Sequence, residues 1–87
     1  MPASSDVTLK ADLHARPAGQ LAVAAAGFQA AVRLSAGGRD ADAKSVLGVM
    51  QLGASAGATV TVRADGPDEA AAVDALTVIL AAVTPAG

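Results

Sequence analysis

The stretch "ATVTVRA" at residues 58–64 runs directly into "DGPDEAAAVDALTVILAAV" at 65–83, and this passage decides the fold class. In the first segment Val60 and Val62 alternate with threonines, the period of a strand with one buried face. The period then changes. Val73, Leu76, Leu80 and Val83 recur at helical spacing, which predicts a helix with one apolar stripe. Pro67, Asp68 and Glu69 are expected in its first turn, where carboxylates suit the positive end of the helix dipole. A half-buried strand and a one-faced helix each have a single surface to bury, so they pack as layers.

The same reading extends towards the N-terminus. "SVLGVMQLG" at 45–53 predicts a short helix, with Ser45 as its cap, Gly53 as its stop and Gly48 weakening the middle. "AAVRLSA" at 30–36 alternates, placing Val32 and Leu34 on one side. The Gly37–Gly38 pair predicts a tight hairpin turn, and "RDADA" at 39–43 returns with Ala41 and Ala43 inward. "DVTLK" at 6–10 predicts a first strand with Val7 and Leu9 on one face. Between the first two strands, Pro17 suits a first helical turn, Leu21, Ala25 and Phe28 share a face, and Gly27 is the expected stop. The order is therefore β-α-β-β-α-β-α. It implies an α+β open-faced β-sandwich, a four-stranded antiparallel sheet with three helices on one face, as a single domain over 1–87.

Composition narrows the function. The hydrophobic fraction of 53% is mostly alanine, with one Phe and no Trp or Tyr, so the expected core is thin and aliphatic. With no cysteine, disulfides and thiolate metal sites are excluded, and a lone histidine makes a transition-metal site improbable. A net charge of −2, six scattered basic residues and no aromatic stacking platform argue against nucleic acid. "PAGQLAVAAAGFQAAV" is apolar, but charged residues precede it and Gln20, Gln29 and Arg33 interrupt or end it, so no membrane insertion is expected. A cytoplasmic monomer without cofactor or metal is the expectation.

The chemistry concentrates in "LHARPAG" at 13–19, which holds the only histidine. His14 precedes a predicted helix start, where unpaired backbone N–H groups and the helix dipole favour an anion. Arg16 adds a permanent cation whose planar fork matches phosphate oxygens. An imidazole is a nitrogen nucleophile near neutral pH, so the set suits a phosphoryl group resting on His14. Taken alone, the same residues also describe a surface or capping histidine in a loop.

Two blocks in the right order change that balance. "HARPAG" resembles the active-site signature of HPr, the histidine-containing phosphocarrier family of the bacterial phosphoenolpyruvate:sugar phosphotransferase system, and "AKSVLGVMQLG" at 43–53 resembles that family's second signature, around a regulatory serine. The resemblance extends over about residues 5–83, and the family's element order is the one derived above. It implies a phosphocarrier, not a turnover enzyme. His14 accepts a phosphoryl group on Nδ1 from phosphorylated enzyme I and passes it to IIA components of sugar permeases. The first-turn amides, including those of Ala15, Arg16 and Ala18, hold the phosphoryl oxygens; Pro17 lacks an N–H and shapes the turn; Arg16 neutralises charge during transfer. Ser45 matches the regulatory phosphorylation position, which implies a serine kinase/phosphorylase as a partner and admits a transcriptional regulator. Helix capping is the alternative role for Ser45, and the two are compatible.

The helix after Ser45 is apolar nearly all round. Leu47 and Met50, with Val46 beside them and Gly48 between, are expected to form an exposed patch for partners, rimmed by Gln20 and Lys44. Core packing is the alternative for the first group and ordinary solvation for the second. The chain departs from the family at Asp12, where glycine is usual, and after Gln20, where alanine and valine replace frequent lysines and leave a less basic docking face. Asp tolerates unusual backbone angles, and its charge bears on the basicity of His14. A regulatory paralogue that acts by binding a transcription factor or enzyme is the competing reading; intact His14 and Arg16 favour the carrier. No set of pocket-forming catalytic groups supports an independent enzyme.

Overall fold

Val60 and Val62 are fully buried, as their alternation requires. The computed structural model describes residues 2–84. Its elements are β1 (Ala3–Thr8), α1 (Ala15–Ala26), β2 (Ala31–Ala36), β3 (Arg39–Asp42), α2 (Val46–Gln51), β4 (Thr59–Asp65) and α3 (Glu69–Ala81). The sheet order is β1-β4-β2-β3, with every neighbouring pair antiparallel. The registers set Val7 opposite Val60 and Leu34 opposite Val62, so apolar side chains from three strands line one face. The helices cover that face, giving the α+β open-faced sandwich. The other face carries Asp6, Thr61, Arg33 and Asp40, with a Thr61–Asp6 hydrogen bond of 2.7 Å and an Arg33–Asp40 ion pair of 2.9 Å. Positions 1 and 85–87 of the expected single domain lie outside the described residues.

Gly37 and Gly38 both take positive φ, 57° and 80°, and Ala36 pairs with Arg39 across them. This is the two-residue hairpin that the glycine pair predicts. Leu21, Leu34, Leu76 and Leu80 are the largest fully buried side chains and join Val32, Val49, Val60 and Val62 in one cluster. Each contributes about 1.5–3 kcal/mol by burial. Leu9, Leu13, Leu52 and Val73 extend this cluster, and alanines fill much of the rest.

Three expectations need correction. The first strand spans Ala3–Thr8, not 6–10, because β4 offers partners as far as Ala64, opposite Ala3; Leu9 lies beyond the strand yet is buried. Serines and alanine at 3–5 carry too little hydrophobic contrast to mark that start. Phe28 is not on α1, which ends at Ala26; it follows Gly27 and packs half-buried against the core. Pro67 and Asp68 precede α3, which begins at Glu69.

Asp68 makes no capping bond to its own helix. Its two carboxylate oxygens instead accept the backbone N–H groups of Gln29 at 2.9 Å and Ala30 at 2.8 Å. The side chain therefore ties the start of α3 to the start of β2. The Gln29 amide, then the Ala30 amide, with a smaller contribution from Lys44, hold the Asp68 carboxyl below the usual carboxylate range. The folded chain thus binds fewer protons at this group than the unfolded chain. The stabilisation is present above the unfolded value, about 3.9, and is lost as pH falls through the lower folded one. Asp68→Ala should lower the thermal midpoint at neutral pH and flatten its decline below about pH 4. Circular-dichroism melts across pH 2–7 check this, and parallel curves for the two proteins would refute it.

Candidate functional site

The chain leaves the sheet after Thr8 and crosses to α1 through residues 9–14. Leu9, Ala11 and Leu13 turn inward and are buried, while Lys10, Asp12 and His14 face out. This alternation anchors the segment on its apolar residues and presents the imidazole at the surface. His14 is the N-cap residue of α1, with φ −77° and ψ −179°, and its ring makes no capping bond. The helix start therefore has no side-chain cap.

The amides beyond it are unequal. Pro17 has no N–H and is buried, fixing the first turn against the core. The Ala18 N–H donates to the His14 carbonyl at 3.0 Å, and Ala18 is fully buried. Ala18 therefore drops out of the expected phosphate cradle, because its donor already closes the first helical bond. The N–H groups of Ala15 and Arg16 have no partner among the described residues. No acidic residue occupies the first turn of α1, so its positive end is uncompensated. The Arg16 side chain is exposed, and among the described residues its guanidinium forms neither a hydrogen bond nor an ion pair.

Asp12 does not take the backbone geometry considered for it, since among the described residues every positive φ belongs to glycine. Its Oδ1 accepts the Ala56 N–H at 2.9 Å. The sequence contains no signal for this partner, 44 residues away.

Ser45 is the N-cap of α2, and its Oγ accepts the Gly48 N–H at 3.0 Å. A Cβ on Gly48 would stand 3.2 Å from that Oγ and 3.6 Å from the Ala41 Cβ, so the glycine lets α2 close on its cap and on β3. Val49 is fully buried on the inner side of α2, and Val46, Leu47 and Met50 are 41%, 66% and 42% exposed. The structure thus separates core from surface in a helix whose sequence is apolar nearly throughout. Gln20 is exposed on α1, and α1 packs on α2. Lys44 is also exposed, but its Nζ donates to the Phe28 carbonyl at 3.1 Å. Val23, the valine of the less basic stretch after Gln20, is 77% exposed on α1. The surface grooves run along the β2–β3 hairpin and between α1 and α3, and none of these is lined by His14 or Arg16. His14 and Arg16 both lie exposed outside these grooves.

The chain resembles known proteins over most of its length. The family model described as "PTS HPr component phosphorylation site" matches residues 3–82. The phosphocarrier protein HPr of Cupriavidus necator is 49% identical over 72 residues, covering 83% of this chain and 81% of the relative. A multiphosphoryl transfer protein of Xanthomonas campestris is 44% identical over 72 residues, which are 83% of this chain and 9% of that longer protein. Among solved structures, a phosphocarrier protein HPr from Bacillus anthracis superposes with a TM-score of 0.83 at 31% identity, covering 91% of this chain and 96% of the other.

Proposed function

The chain belongs to the HPr phosphocarrier family of the phosphotransferase system, and from that premise we propose that His14 accepts a phosphoryl group from phosphorylated enzyme I in the cytoplasm and donates it to IIA components of sugar permeases. The observation that carries this reading is the exposed His14 ring at an uncapped helix start, beside the unpartnered N–H groups of Ala15 and Arg16 and the exposed Arg16 guanidinium. In each transfer a ring nitrogen attacks phosphorus. The new N–P bond forms as the bond to the donor nitrogen breaks, and the electron pair of that bond returns to the donor. The barrier is then mainly one of alignment and charge. The Ala15 and Arg16 N–H groups donate to the phosphoryl oxygens, Arg16 neutralises their charge, and Pro17 holds the turn. The chain acts as a carrier that needs neither metal nor organic cofactor of its own. Each partner supplies the other half of the site, and a monomer is enough.

Incubation with phosphoenolpyruvate, Mg²⁺ and enzyme I should add one acid-labile phosphoryl group to the intact protein, and a IIA component should remove it. Absence of uptake with enzyme I from the same organism, shown active on another carrier, would overturn the proposal.

Partners dock on the α1–α2 surface, with Val46, Leu47 and Met50 as the apolar contact and Gln20 and Lys44 beside it. Leu47→Ala with Met50→Ala should raise KM for enzyme I about tenfold with little change in kcat, since removing exposed apolar contacts weakens binding at a hot spot by about 1–2 kcal/mol. Unchanged steady-state kinetics would exclude this surface.

Ser45 offers a regulatory point to a serine kinase/phosphorylase. Its hydroxyl is half-buried as a cap, and a phosphate there adds about −1.5 to −2 charges at the start of α2. That charge favours the helix and opposes acidic partner surfaces that approach Arg16. Binding of a transcriptional regulator would use the same surface.

A further inference from the structure

Residues 55–58 form a tight turn. The Ala58 N–H donates to the Ser55 carbonyl at 2.9 Å, and Gly57, with φ 88°, occupies the position where a type II turn needs a left-handed residue. In such a turn the second residue's N–H has no partner inside the turn. That residue is Ala56, and Asp12 Oδ1 accepts its N–H at 2.9 Å. The backbone holds the same two segments together on either side. Gly57 N–H donates to the Leu9 carbonyl at 2.9 Å, Leu9 N–H to the Ala58 carbonyl at 2.8 Å, and Leu13 N–H to the Ala54 carbonyl at 3.0 Å. Among the described residues, Asp12 is the one side chain that hydrogen-bonds the 9–14 segment to this turn.

His14 follows two residues later and is held from both sides. Its N–H donates to the Asp12 carbonyl at 3.1 Å, and its own carbonyl accepts the Ala18 N–H at 3.0 Å. Any movement of Asp12 is therefore transmitted to the backbone that carries the imidazole. The geometry points to Asp12 as a positioning residue for His14: by holding the Ala56 amide, its carboxylate fixes the turn from which the ring meets the phosphoryl group. This inference rests on the carrier reading of His14. The role belongs to the Oδ1 acceptor and not to the negative charge, which faces Ala56.

The two contributions separate in a pair of variants. Asp12→Asn keeps an oxygen acceptor and removes the charge; Asp12→Ala removes both. With enzyme I and phosphoenolpyruvate, Asp12→Ala should lower kcat about tenfold with KM little changed, as a displaced nucleophile loses alignment and not docking. Asp12→Asn should stay within about twofold of the parent. Backbone ¹⁵N order parameters at Leu13, His14 and Ala56 should fall in Asp12→Ala only. A kcat in Asp12→Ala equal to the parent's would overturn the inference. So would an equal loss in both variants, which would assign the effect to charge. If the parent chain itself takes up no phosphoryl group, the carrier reading fails. The order parameters then decide the clamp: a fall confined to Asp12→Ala upholds it, and no fall refutes it.

Discussion

His14→Ala is expected to abolish phosphoryl uptake from phosphoenolpyruvate and enzyme I while moving the thermal midpoint by little. The loss follows from chemistry. No other imidazole exists in the chain, and a hydroxyl such as that of Ser45, engaged as a helix cap, does not replace a ring nitrogen that must both accept and release phosphorus. The small stability effect follows from structure. The ring is exposed and makes no capping bond to α1, so its removal leaves no buried group unsatisfied and stays within about 0.5 kcal/mol. Intact-protein mass with and without enzyme I reads the first part, and a circular-dichroism melt reads the second. Residual acid-labile label on the variant would place the acceptor elsewhere. A large fall in midpoint would mean that His14 is a structural cap.

Gly66→Ala should be the most damaging of the glycine substitutions. Gly66 has φ 154°, and a Cβ there would stand 2.6 Å from the Ala30 Cα and 3.0 Å from its Cβ. The obstacle is backbone, which cannot swing aside as a long side chain would. Ala30 is also fixed by the Asp68 carboxylate at 2.8 Å, so relief of the overlap pulls on the link between β2 and α3. Overpacking and a strained φ together cost about 2–4 kcal/mol, which lowers the midpoint of a domain this size by roughly 10–30 °C. Gly37→Ala provides the comparison. Its φ is 57° with nothing within 4 Å of the added carbon, leaving backbone strain alone at about 1 kcal/mol. Equal midpoints for the two variants would show that the approach of Gly66 to Ala30 is not as close as described.

Asp68 and Asp12 share a lesson about which polar side chains matter in a chain with little aromatic or polar core. Among the described residues no polar side chain is buried, and both carboxylates act at the surface by accepting backbone amides from another segment. Asp68 joins β2 to α3; Asp12 joins the His14 segment to the turn before β4. Each satisfies donors that regular secondary structure leaves open, so each holds a junction and not a layer.

Much of this protein was legible locally. Alternation placed Val32, Leu34, Val60 and Val62 inward, paired glycines marked the hairpin, Ser45 marked the cap of α2, and the His14–Arg16–Pro17 set marked a helix start. These signals act over a few residues and survive in a single sequence. The tertiary structure alone decided that β1 lies at the sheet edge beside β4, that Val49 is core while Leu47 is surface, and that Asp12 and Asp68 reach partners 44 and 38–39 residues away. The physical reason is the range of the interactions. Side-chain period and turn geometry are written in neighbouring residues, whereas edge pairing, burial in a helix apolar on every side and the choice of a carboxylate's amide partner depend on which distant segment arrives there.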